Sequence, residues 1–256
     1  MQIAAQQLPA VEYPETDEMG EHEVQWFVTV MLSGLLMRLF ALNNVVAHVA
    51  GNQFFYWREG DPKAVRAPDL YVILGLPQSI PYRATWHTWE GHRPDFALEV
   101  ASSGTWRKDY DDAPDDYAAM GCTELVIFDP GATARSRRRV RWQVFRNVRG
   151  RGFVRVEASA GDRVYSRVLK AWLRVVNPGP FAQVRIATGP RGDTLLPTDG
   201  EHARAEGLRA AAEAQRAAAE AQRADTEARA RADVEQENAR LRAELDALRR
   251  GLPPPR

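Results

Sequence analysis

RPDFALEVASSGTWRKDYDDAPDDYAAMGCTELVIFDP, residues 93–130, sets out a strand, a polar loop, a short helix and a second strand. Phe96 to Val100 is a short, apolar, β-prone run that carries the carboxylates Asp95 and Glu99. They lie four residues apart, so the period-two geometry of a strand points both to one sheet face. Two carboxylates buried on a hydrophobic strand are costly unless a cation or water takes up their charge, and a bound divalent cation would do so. The loop SSGTWRKD then offers hydroxyls and two cations. Tyr117 to Met120 leads through Gly121 into LVIFDP, a buried strand closed by Pro130.

This order of features resembles the signature of the Uma-two family of restriction endonucleases, a bacterial branch of the PD-(D/E)xK nuclease superfamily. The elements that carry the resemblance are PDFALEV, the Ser-rich loop, Asp109, Tyr117-Ala118, Gly121 and a strand ending in Asp129-Pro130. Upstream, GNQFFYWREGDPKAVRAPDLYVILG at residues 51–75 is similar to one branch of the same family. The resemblance implies an α/β, restriction-endonuclease-like domain, a mixed sheet flanked by helices, that hydrolyses DNA phosphodiester bonds. It places one carboxylate at the start of a strand and another within its hairpin partner, positions matched here by Asp69 and Glu99. Both would hold Mg2+ or Mn2+, hard cations that take oxygen ligands, polarise a phosphate and acidify an attacking water. Asp95, on the face of Glu99, is a third candidate ligand, so Asp69, Asp95 and Glu99 are expected in one cleft.

The family's lysine is where the chain departs. Counting from Tyr117 places it at Ala113, and the in-strand position of the wider superfamily motif is Ala101. Lys108, with Arg107 beside it, is the nearest cation on the loop leaving the strand. It is the expected substitute for stabilising charge that builds on the phosphate.

Length and composition frame these readings. The 256 residues hold 45% hydrophobic residues, enough for one sizeable core plus an extension. Net charge is zero, yet residues 1–130 carry 8 Lys and Arg against 19 Asp and Glu, while 131–200 carry 15 against 4. Metal ligands in the first part and phosphate contacts in the second are one reading; a solvated, self-complementary surface is the other. Cys122 is the only cysteine, which excludes an internal disulfide or a cysteine zinc cluster and fits a reducing cytoplasm. The longest apolar run, Val28 to Leu36, is interrupted by Thr29, Ser33 and Gly34, so no membrane span is expected.

Along the chain, residues 1–21 read as a polar, acidic arm. Residues 22–200 read as the nuclease-like domain. Within it Glu23 to Leu42 repeats apolar residues at helical spacing through Trp26, Phe27, Val30, Met31, Leu35, Leu39 and Phe40, with Gly34 as a close-packing point. Val45 to Trp57 is strand-like, and Asp69 to Leu74 is a strand entered through Pro68. The connection 75–92, with Trp86, His87, Trp89 and His92, either stacks on bases or covers the sheet. The cluster Arg135, Arg137, Arg138, Arg139 and Arg141 either grips phosphates or keeps an exposed edge from pairing with other chains.

From residue 201 to 256 the composition changes. AAEAQRA occurs twice in succession, at 211–217 and 218–224, and the strong helix formers predict a helix to about Arg250. Val234, Asn238, Leu241, Leu245, Leu248 and Leu252 follow alternating four-and-three spacing, which predicts a coiled coil and a homo-oligomer, with Asn238 favouring a parallel dimer. Two functions are therefore open. One is a magnesium-dependent DNA endonuclease using Asp69, Asp95, Glu99 and Lys108. The other is a lapsed nuclease fold that binds nucleic acid or acts as a scaffold through its coiled coil.

Overall fold

A computed structural model describes residues 23–251 except 82, 103, 105, 134 and 178–181. The expected arm at 1–21, His22, Ser103 and Thr105 of the polar loop and Leu252 of the coiled-coil seam lie outside the described residues. In chain order the elements are α1 (Glu23–Leu42), β1 (Ala47–Ala50), β2 (Phe54–Tyr56), β3 (Val65–Arg66), β4 (Leu70–Leu74) and β5 (Thr85–His87). There follow β6 (Phe96–Val100), α2 (Trp106–Asp111), α3 (Ala113–Met120), β7 (Glu124–Phe128), β8 (Trp142–Val148) and β9 (Gly152–Ser159). The remainder is β10 (Arg163–Ser166), β11 (Ala171–Val176), β12 (Gln183–Thr188), β13 (Thr194–Leu195) and α4 (Asp199–Gly251).

Six strands form a mixed central sheet in the order β1-β4-β6-β7-β8-β9. Within this sheet only β6 and β7 pair in parallel, because α2 and α3 lie between them in the chain and carry it back to the same end. A four-stranded antiparallel sheet, β10-β11-β12-β13, packs its β12 against α1, and a small sheet β3-β2-β5 contributes Arg66 and Trp86. Alternation along the central strands sorts side chains into two cores. Leu70, Val72, Phe96, Leu98, Val126 and Phe128 meet α1 and the four-stranded sheet. Tyr71, Ile73, Ala97, Leu125 and Ile127 meet Phe55, Trp86, Ala113, Tyr117 and Met120. Both faces of β6 and β7 are buried, which is why these strands read as near-continuous apolar runs.

Several expectations change here. Helix α1 buries Val28, Leu32, Leu35, Leu36, Leu39 and Phe40, whereas Trp26, Phe27 and Val30 are about half exposed. The inward stripe is thus turned from the expected one. The helix spans Glu23–Leu42 as expected, and the Thr29 and Ser33 hydroxyls within it donate to the carbonyls of Trp26 and Thr29. At 20 residues α1 is long and apolar enough to cross a membrane, yet its buried residues belong to the core beside β12. Gly34 meets no neighbour that a Cβ would touch; the close approach is at Gly51, where a Cβ would collide with the Asp69 carbonyl oxygen. Residues 45–57 split between two sheets, and Trp86 is packed inside, its indole N–H donating to the Tyr71 hydroxyl.

The chain contacts divide after Thr198. The second unit contains α4, a helix of 53 residues with no buried residue.

Candidate functional site

Strand register builds the site first. β4 and β6 run antiparallel with Leu70 opposite Leu98, so Asp69 stands opposite Glu99 at one end of the pair. Asp69 is 8% exposed; its Oδ2 accepts from the Val100 N–H at 2.6 Å and its Oδ1 from the Gln25 side-chain amide of α1. Burial, then the charge of Glu99, push the Asp69 carboxyl well above the usual carboxylate range, against the pull of the Val100 N–H.

Glu99 is 5% exposed, and its Oε1 accepts two donors, Arg66 Nε at 2.8 Å and the Tyr117 hydroxyl at 2.8 Å. Arg66 enters from β3 and reaches two more carboxylates, Asp109 of α2 through Nη2 at 3.1 Å and Asp116 of α3 through Nη1 at 2.9 Å. Its guanidinium carbon lies 5.7 Å from the centre of the Tyr117 ring. Burial opposes the charge on Arg66, but Glu99, Tyr117 and Asp116 outweigh it and hold the guanidinium protonated above its ordinary value. Burial and the charge of Glu99 likewise keep the Tyr117 phenol neutral, so it acts as a donor.

The helices that deliver these groups are themselves anchored. Asp129, fully buried after β7, accepts from the Tyr110 hydroxyl of α2 at 2.8 Å and from Arg139 at 2.6 and 2.7 Å. That fixes the turn of α2 on which Asp109 faces inward. Of the arginine cluster, Arg139 is therefore committed to a carboxylate, and Arg141 donates to the carbonyls of Ala160 and Gly161.

The structure brings Asp69 and Glu99 together, and it does not bring Asp95 to them. Asp95 shares their sheet face but sits at the far end of β6, about 13 Å along the strand at ~3.3 Å per residue. There its Oδ2 accepts from the Leu74 N–H at 2.7 Å. The expected cleft of three converging carboxylates is thus corrected: Asp95 holds an end of the β4–β6 pair. Among the described residues no three His, Cys, Asp or Glu side chains are grouped to hold one metal ion. Lys108 is exposed on α2, beside the inward-facing Asp109. The cation that meets Glu99 is Arg66, three residues before Asp69, and the sequence reading missed it. It lies within the quoted stretch 51–75, but nothing local there marks it as the partner of carboxylates from three other elements.

Residues 18–176 match the family model Uma2, described as "Putative restriction endonuclease". Comparison with curated proteins gave no match. Among solved structures, the chain is similar to a "putative nuclease belonging to DUF820" from Anabaena variabilis ATCC 29413, with 11% identity, a TM-score of 0.42, and coverage of 59% of this chain and 75% of that one.

Proposed function

The chain belongs to the Uma2 family of restriction-endonuclease-like proteins, and from that premise we propose that it hydrolyses DNA phosphodiester bonds with a divalent cation held by Asp69 and Glu99. The observation that supports this is a pair of buried carboxylates, Asp69 and Glu99, set opposite each other across β4 and β6. One guanidinium serves Glu99, Asp109 and Asp116, and Asp69 lies within electrostatic reach of Glu99. Burial and the charge of Glu99 disfavour a charged Asp69 beside it, and a bound cation would relieve both. Among the described residues nothing is bonded to Glu99 Oε2, so that oxygen is available to an ion while Arg66 and Tyr117 hold Oε1. The donors are hard oxygens, which suit Mg2+ or Mn2+ with water completing the shell. When bound, the ion supplies Lewis acidity to the phosphate and lowers the pKa of a water. Arg66 and Tyr117 orient Glu99, and the Val100 N–H and Gln25 orient Asp69. Incubation with supercoiled and single-stranded DNA in Mg2+ or Mn2+ tests the reading, with chelator as control. Metal-dependent nicking is expected. Mn2+ binding without cleavage would instead favour the lapsed-nuclease reading, which the occupation of Glu99 Oε1 by Arg66 supports.

We further propose that the chain self-associates through α4. Val234, Leu241 and Leu248 form one core series of the heptad, Asn238 and Leu245 the other, and all are exposed in the single helix. In a parallel, in-register pair, Glu237 and Glu244 fall at the flanking position that faces Arg242 and Arg249 of a second copy. This complementarity, with Asn238 at a core position, favours a parallel dimer over a solitary helix. A reducing cytoplasm fits the single, buried Cys122.

A further inference from the structure

We propose that Arg66 supplies the positive charge beside the reacting phosphate, taking the place that a lysine at position 113 would hold; the inference rests on the nuclease reading above. Ala113 opens α3 and is fully buried, one helical turn before Tyr117 and on the same face. The Arg66 guanidinium lies over the Tyr117 ring and is bonded to Asp109 and Asp116, which flank position 113 on either side in the chain. A cation absent from the helix thus arrives from the opposite wall, on β3. Lys108 points outward from α2 and makes none of these bonds.

The chemistry of the guanidinium fits the task. Of its five N–H donors, three are directed to Glu99, Asp109 and Asp116. One N–H on each terminal nitrogen is left over, and these can donate to phosphate oxygens. Arg66 stays protonated, so it stabilises charge and positions Glu99 but does not shuttle protons, unlike a lysine of lowered pKa.

Four full-length proteins test this: the parent, Arg66→Ala, Ala113→Lys and the double variant. Plasmid cleavage, thermal melting and Mn2+ binding are measured on each. Arg66→Ala should lose cleavage by about 100-fold, the scale of a lost electrostatic contact to a transition state. It should bind Mn2+ more tightly than the parent, because a competing cation has left Glu99. A purely structural role would weaken both. Ala113→Lys alone should gain nothing, since two cations would crowd one place, while the double variant should regain cleavage to within about 10-fold of the parent and recover the melting temperature. If Arg66→Ala does not fold, Arg66→Lys carries the test: it should melt near the parent and cleave less, because an ammonium has three donors against the guanidinium's five. A folded, Mn2+-binding double variant no better than Arg66→Ala overturns the proposal, as does a gain from Ala113→Lys with Arg66 in place. If the parent cleaves nothing, the nuclease reading falls, and recovery of melting in the double variant still decides whether the two positions share one charge.

Discussion

Glu124 and Glu99 are both buried carboxylates on adjacent strands of the central sheet, each bonded to an arginine, and they face opposite cores. Glu124 is fully buried and accepts from Arg146, from the Ser166 hydroxyl and from the Arg167 N–H. One negative charge meets one positive charge, and both oxygens are taken. The arrangement ties β7 and β8 to the turn between β10 and β11, and its chemistry is closed. Around Glu99 one guanidinium is divided among three carboxylates, with Asp69 close by. A carboxylate with both oxygens taken holds a fold together; one with an oxygen left over, beside a second buried carboxylate, has room for a ligand.

This contrast can be broken most severely at Glu124. Glu124→Ala leaves the Arg146 guanidinium without its carboxylate, holding only the Tyr165 carbonyl, and two further donors unpaired, so stability should fall by roughly 3–5 kcal/mol in denaturant melts. A loss below ~1 kcal/mol would show that the pair is no clip. Glu99→Gln should do the reverse, retaining a folded protein and reducing metal-dependent cleavage by about 100-fold, or about 2.7 kcal/mol in the barrier. Unchanged cleavage would remove Glu99 from the site.

Asp69 sharpens the comparison through pH. Its folded pKa is raised, so the folded state holds a proton that the unfolded chain releases. Stability from this group is therefore greatest below the ordinary carboxylate range and declines as pH rises from there towards the folded pKa. Asp69→Asn should be more stable than the parent at neutral pH without metal, by a few °C at about 2–4 °C per kcal/mol, and the gap should close near pH 4. A gap independent of pH would deny the shift. The smallest effect is expected from ending the chain at Thr198, which removes a helix with no buried residue. Melting of the remainder should move by no more than about 0.5 kcal/mol, while sedimentation should shift from dimer to monomer. A truncated protein that still sediments as a dimer would place the interface elsewhere.

Much of the frame was legible because it is local. The apolar runs in PDFALEV and LVIFDP, the Pro68 entry to β4 and the long helix after residue 200 all follow from short-range rules of geometry and propensity. The errors also have local causes. Asp95 and Glu99 share a face by parity, yet the rise of a strand over four residues separates them beyond the reach of one ion. The stripe of α1 was misplaced because apolar residues occur nearly all round it, and only the position of β12 decides which of them turn inward.

By itself, then, the sequence determined the strands and the face that carries Glu99, since these depend on period and on neighbouring residues, while the pairing of Asp69 with Glu99 was legible only through the family resemblance. Tertiary structure alone decided what surrounds that pair. Arg66, Asp109, Asp116 and Tyr117 come from three elements as many as 51 positions apart in the chain, and Gln25 from a fourth. Their convergence is set by the packing of α2 and α3 against β6 and by the small sheet that carries β3, and long-range packing leaves no period in the sequence to read.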